Sequence, residues 1–268
     1  MASVTELVGR RERKKLEMRN RLADVAARLF AEQGYDAVSV SDVATTAGVA
    51  DQTVYNYFPT KPDLVLDLAG EMLERSRRSV AERDPALTPA EAIRGLVHDD
   101  IDLFVRADPF LARGEFPAQS IESDILRRYA LQFRHDQAEA IAGAIAGTDP
   151  ELRALVARAH AAVLVAVMQS VTDRIGEAIL SGADLAAIAQ KLHDDADIAL
   201  TDASENFDAT KTRSRVTVQK TDRHRTPDLR SGAPDRPSSV GTGRAEAATP
   251  GLDADAASPA EVSPRPGR

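Results

Sequence analysis

Cysteine and tryptophan are absent from the 268 residues, and aromatic side chains make up only 4% of them. Without cysteine there is no disulfide, no thiolate metal site and no thiol nucleophile, a usage that suits a reducing cytoplasm. With so few aromatic rings, a large aromatic cage for cationic ligands is not expected. Long apolar runs are missing too. The longest, 161–168, is far short of the about 20 residues that a membrane helix needs. Residues 1–15 are polar and basic and hold no apolar signal core. These absences predict a soluble, cytoplasmic protein with no membrane partner. Catalytic patterns are lacking as well: there is no Gly-rich phosphate loop, no G-x-S-x-G elbow and no H-x-x-x-H or H-E-x-x-H pair. His98, Asp99, His135 and His160 could offer ligands from three helices, but nothing in their spacing demands a metal. Neither a metal, nor a cofactor, nor an enzymatic activity is expected.

What is present begins with uneven charge. The formal net charge is −8, which read as a whole argues against a nonspecific DNA-coating protein. By segment the picture differs. Arg10, Arg11, Arg13, Lys14, Lys15, Arg19 and Arg21 crowd one end, while acidic pairs such as Asp99-Asp100 and Asp194-Asp195 lie in the middle. A basic end facing phosphates and an acidic body facing away would orient the molecule on nucleic acid.

Residues 39–61 form the most informative stretch. Ser39 and Asp42 have the S-x-x-D spacing of a capping box. Val40, Val43, Ala44 and Ala47 then give a short helix one apolar face. Gly48 follows, where a left-handed cap is least strained without a Cβ. A second helix over about 51–57 turns Val54 inward, with Phe58 behind it at i+4. Two helices joined by a tight glycine turn are the helix-turn-helix, whose second helix lies in the DNA major groove. Upstream, Leu22, Val25, Ala26, Leu29 and Phe30 follow helical spacing and predict a supporting helix over about 13–33, ended by Gly34.

On these residues the chain resembles the DNA-binding domain of TetR/AcrR-type transcriptional regulators. The matching features span residues 19–66, about a fifth of the chain. They are Ala26-x-x-Leu29-Phe30, Gly34-Tyr35, Val43-Ala44, Ala47-Gly48-Val49, Thr53-Val54-Tyr55-x-Tyr57-Phe58 and Lys61-x-x-Leu64. Ala50 stands where the family carries a capping Ser, and Asp51 is the expected substitute cap. The resemblance implies that Thr53, Tyr55 and Tyr57 bind phosphates or pack on the sugar backbone, with Lys61 and Ser39 as further phosphate contacts. Gln52, at the start of the second helix, and Asn56, one turn on, have the amide chemistry that reads adenine; Val40 and Asp51 are the other candidates for base contacts.

Helix signals continue downstream. Thr60-Lys-Pro-Asp63 is a start signature for a helix to about 81, with Leu64, Leu66, Leu68, Met72 and Leu73 partly buried. Further helices are expected over about 88–106, in a short piece opened by Asp108-Pro109 and broken by Gly114 and Pro117, and from Ser120 or Ser123 to about 147. Asp149-Pro150 is expected to open a helix to about 180, and Asp184 the last, to about 203. No stretch alternates as a strand would, so the fold class is all-α. Residues 161–168 are apolar all round, and Leu185, Ile188, Ala189 and Leu192 form a stripe; by the resemblance these two helices make a homodimer interface. The resemblance also implies a small-molecule effector in the helical domain, with Met72, Phe104, Phe110, Phe133 and Met168 as candidate contacts. From 206 onward the chain is polar and holds seven of its 14 prolines, which predicts disorder.

The predicted organisation is therefore a flexible basic arm (1–12), a helix-turn-helix domain (13–60), a helical ligand-binding and dimerisation domain (61–205) and a disordered tail (206–268). The implied partners are a double-stranded DNA operator, a second copy of the chain and an unknown small molecule. The function expected is a repressor on a palindromic operator; an activator or a partner-sensing regulator would show the same sequence features.

Overall fold

A computed structural model describes residues 4–66 and 69–223, and every regular element among them is a helix. The N-terminal head consists of α1 (Val4–Gln33), α2 (Val40–Ala47) and α3 (Asp51–Tyr57). Leu22, Ala26 and Phe30 of α1, Val43 and Ala47 of α2, and Val54 and Phe58 close one small core. Phe30 and Phe58 are each only 1% exposed, and a ring buried to that degree contributes about 1.5–3 kcal/mol. Ser39 caps α2: its hydroxyl accepts the Asp42 N–H at 3.1 Å, and the Asp42 carboxylate accepts the Ser39 N–H at 2.8 Å. The Ser39 hydroxyl, which also donates to the Asp42 carboxylate, and the Ser39 N–H hold the Asp42 carboxyl below its ordinary pKa. Gly48 takes the left-handed conformation at φ 67° and passes the chain to α3.

The supporting helix is longer than its apolar pattern predicts. It starts at Val4 rather than near 13, so most of the expected flexible arm is helical backbone. An Arg13–Glu17 pair at i, i+4 spacing supports the exposed turn that follows this first part.

The body is built from α4 (Ala69–Ala81), α5 (Pro89–Arg106), α6 (Pro109–Arg113), α7 (Phe116–Glu122), α8 (Asp124–Thr148), α9 (Ala154–Ser181) and α10 (Leu185–Arg223). Its core gathers Val80, Ile93, Ile101, Ile141, Ile145, Leu164, Ile175 and Leu200, among others. In place of one helix from Thr60, the chain makes a 3-10 turn, Lys61–Leu64, and α4 follows over Ala69–Ala81. Leu64 belongs to the head's core and Val80 to the body's. Leu68 lies outside the described residues. Pro117 is not a breaker but sits in the first turn of α7, where its missing N–H costs nothing. Ser123 caps α8. Asp149 ends α8 rather than opening the next helix, and α9 begins at Ala154 behind Arg153.

The largest departure is at the end. The last helix does not stop near 203 but runs to Arg223. Phe207, one of the few large apolar residues in that segment, is 3% exposed in the body's core, and the Lys211 ammonium pairs with Asp149. The boundary expected at 206 therefore falls inside a packed helix; the rest of the expected tail, 224–268, lies outside the described residues. By length and composition α9 is the one described helix apolar enough to cross a membrane. Here it packs on α7, α8 and α10.

Head and body meet closely. A Cβ placed on Gly114 would stand 1.7 Å from the carbonyl oxygen of Ala27 in α1. Backbone cannot yield as a side-chain tip can, so Gly114→Ala is expected to destabilise the fold by about 1–3 kcal/mol. A lower midpoint in a urea melt followed by circular dichroism checks this.

Candidate nucleic-acid interface

Seven residues from Asp51 to Tyr57 form α3, and the core fixes which of them face outward. Val54 is buried, so Asp51, Gln52, Tyr55 and Asn56 are exposed, and Thr53 and Tyr57 are half-buried at the edges. Gln52 Nε2 donates to Asn56 Oδ1 at 3.1 Å. The two amides thus stand as one polar patch, each with further donor and acceptor capacity. Tyr55 is 45% exposed and is not a member of the head's core.

Two of the expected contacts are placed differently. Val40 is 8% exposed and belongs to the core of the head. The first residue of α2 is aimed by the helix's apolar face, so its side chain is not available to a base edge. Asp51 does not cap α3. Ala50 holds the cap position with no side-chain bond, and the Asp51 carboxylate instead accepts the Ser41 hydroxyl from α2. That bond fastens the two helices across their turn. The Ser39 hydroxyl, besides capping α2, donates to Asp42 at 2.6 Å.

The basic residues divide into two sets. Arg19 lies 4.6 Å over the Phe58 ring and donates to the Tyr57 carbonyl at 3.0 Å, and Arg21 donates to the Ala47 carbonyl at 2.8 Å. Both satisfy carbonyls at helix ends, where a cation is also favoured by the dipole. Arg11, Lys14 and Lys15 are exposed. Together with Met18 they line an open cleft of about 510 Å³ whose other wall is Thr53, Asn56 and Tyr57 of α3. The geometry thus adds Arg11, Lys14 and Lys15 to the site. Their crowding in the sequence was the signal; that α1 lays them beside α3 only the fold could show.

Lys61 stands at the start of the 3-10 turn, its ammonium 4.1 Å from the Tyr35 ring centroid and 3.5 Å from the Asp36 carbonyl. Burial lowers its pKa from the ordinary lysine value, against the pull of the Asp36 and Asp42 carboxylates.

In the body, Phe104 and Met168 pack half-buried against the core, and Phe133 is half-buried. Met72 and Phe110 are exposed by 40% and 46%. A second open cleft of about 370 Å³, between α9 and α10, is lined by residues such as Arg174, Ile188 and Asp195 and by none of these five. Of the histidines, His98 pairs with Asp197 at 3.0 Å, and the His160 ring packs on Phe207 at 5.1 Å. Among the described residues no three potential metal ligands come together.

Comparison with known proteins bears on the same segment. Residues 22–68 match the family model of bacterial regulatory proteins, tetR family. The fatty acid metabolism regulator protein of Bacillus subtilis is 38% identical over 69 residues, 24% of this chain and 36% of its own length. The HTH-type transcriptional repressor KstR of Rhodococcus jostii is 34% identical over 95 residues, 35% of this chain and 44% of its own. The chain thus spans less than half the length of these relatives, which are regulators rather than enzymes. A solved structure of FadR from Bacillus subtilis in complex with stearoyl-CoA covers 65% of this chain and 95% of its own, at 22% identity and a TM-score of 0.45. The likeness to the tetR family of bacterial regulatory proteins thus rests on residues 22–68, the segment that holds the helix-turn-helix.

Proposed function

We propose that the chain is a sequence-specific, DNA-binding transcriptional regulator that works in the cytoplasm as a homodimer on a palindromic or near-palindromic operator. The observation that carries this reading is the cleft in which Arg11, Lys14 and Lys15 face Thr53, Asn56 and Tyr57. Cations flanking a helix with exposed amides supply the two components of such binding: phosphate attraction, which sets affinity, and base-edge contact, which sets sequence. Gln52 and Asn56 are the residues for base edges. Thr53, Tyr55, Tyr57, Lys61 and the three cations are the residues for the backbone.

A single head reads too few base pairs to find one site in a genome, so two heads related by a two-fold axis are expected. The outer face of α9 offers the contact: Leu155 is 79% and Val163 48% exposed, with Ala159, Ala162 and Ala166 beside them. The stripe of α10 expected to share it, Leu185, Ile188, Ala189 and Leu192, packs instead in the body's own core. We read the regulator as a repressor released by a small molecule that prefers one separation of the heads; Phe104, Phe133 and Met168 are the half-buried apolar side chains offered to it.

Gln52→Ala is expected to relax preference at one base position of each half-site by about 1–3 kcal/mol, while general affinity for duplex DNA is retained. Competition binding against a panel of single-base variants of the selected site measures it. An unchanged preference would move the base-reading register to other residues.

A further inference from the structure

The seam between head and body contains a buried side chain that DNA contact does not explain. Gln119 belongs to α7, in the body, and is 2% exposed. Its Oε1 accepts the Tyr35 backbone N–H at 2.7 Å. Its Nε2 donates to the carbonyls of Arg113 at 2.6 Å and Phe30 at 3.3 Å. One amide thereby joins the last turn of α1, the turn that follows it and the end of α6. Buried backbone groups need partners, and here a side chain with both a donor and an acceptor is required. Methionine would fill the same space and take this partner from the Tyr35 N–H and the Arg113 carbonyl, while the Phe30 carbonyl keeps the Gly34 N–H at 2.9 Å.

The rest of α7 tightens the same joint. Ser123, just past its end, donates to Asp36 Oδ1 at 2.7 Å. Leu126 of α8 enters the core of the head. On the side of α9, a Cβ on Gly176 would stand 2.2 Å from the Pro117 carbonyl oxygen, so α7 has no slack behind it. Tyr35 and Asp36, held by Gln119 and Ser123, are the two residues on which the Lys61 ammonium rests.

We propose that Gln119 is a positioning residue for DNA binding: its buried amide fixes the angle at which the α1–α3 head, with Lys61, leaves the helical body. This rests on the function proposed above. In a dimer that angle decides whether both heads reach their half-sites together, and the bivalent gain is lost when geometry forbids it. Binding of one head to one half-site does not depend on it.

Gln119→Met tests this in the full chain with two readouts. The absence of cysteine lets Thr46→Cys in the head and His135→Cys in the body carry a spin-label pair, diluted with unlabelled protein. The distance distribution is expected to be narrow with Gln119 and at least twice as wide with Met; equal widths would overturn the proposal. On duplexes chosen by the wild type, Met is expected to weaken binding to two half-sites tenfold or more and to leave a single half-site unchanged. Equal loss on both duplexes would mean a damaged head, and no loss on either a joint without influence; each overturns it. Should the Met variant not fold, Ser123→Ala is expected to widen the same distribution by a smaller amount, and no widening would overturn the proposal. If the wild type selects no DNA sequence, the functional reading fails, while the distance distributions still decide whether Gln119 sets the angle.

Discussion

Asp149→Asn is expected to lower the stability of the protein by about 3 kcal/mol at neutral pH, because it leaves a buried charge without its counter-ion. Asp149 is 1% exposed, and the Arg83 side chain that pairs with it is 5% exposed. The carboxylate also accepts the Thr148 hydroxyl and the Lys211 ammonium. Burial alone would raise its pKa; the bonds from Lys211, Arg83 and Thr148 outweigh burial, and the pKa lies below the ordinary aspartate value. A depressed carboxyl pKa stabilises the fold above the unfolded pKa, about 3.9 for aspartate. That contribution is lost as pH falls through the folded pKa. Wild type and variant should therefore differ by a constant amount above about pH 4 and converge below it. Urea melts of both proteins across that range measure the gap. A constant gap down to the lowest pH would mean that the ion pairs are not its source.

The second large effect concerns DNA. Replacing Arg11, Lys14 and Lys15 with Ala removes three exposed cations per protomer from the wall of the cleft facing α3, hence six from a dimer. Each neutralised phosphate contributes about 0.9 to the slope of log K against log salt. The slope should flatten by about 5, and affinity near 0.15 M salt should fall by ~100-fold or more. The preferred sequence should stay the same, because phosphate contacts carry no base information. Titrations at four salt concentrations read both quantities. A changed sequence preference with an unchanged slope would assign these residues to bases instead of phosphates.

How much of this could be read in the chain depended on the range of the interactions. The capping box at Ser39, the left-handed Gly48, α3 and the buried pair Val54 and Phe58 are set by contacts a few residues apart, and the sequence shows them directly. Val40 was ambiguous because the first residue of a short helix can face either way, and only the packed head decides. The ends of the long helices were hidden for another reason. Past 203 the apolar period fades, and what holds the helix to the body is Phe207 in the core and Lys211 on Asp149, a partner 62 residues away. Asp149-Pro150 looks like a helix start for the same reason: its partners Arg83 and Lys211 are remote, and without them an Asp before Pro reads as a cap. Gln119 was hidden too, since two of its three bonds reach 84 and 89 residues back.

The central claim is that α3 and the basic stretch of α1 read DNA together, and selection from a pool of random duplexes tests it most directly. Wild-type protein and the Arg11, Lys14, Lys15 triple-alanine variant would be run side by side at moderate salt. The account predicts that the wild type enriches a palindrome of two short half-sites, and that the variant enriches the same palindrome only when the salt is lowered. Enrichment of no sequence by the wild type at any salt, or equal enrichment by both proteins at moderate salt, would contradict it.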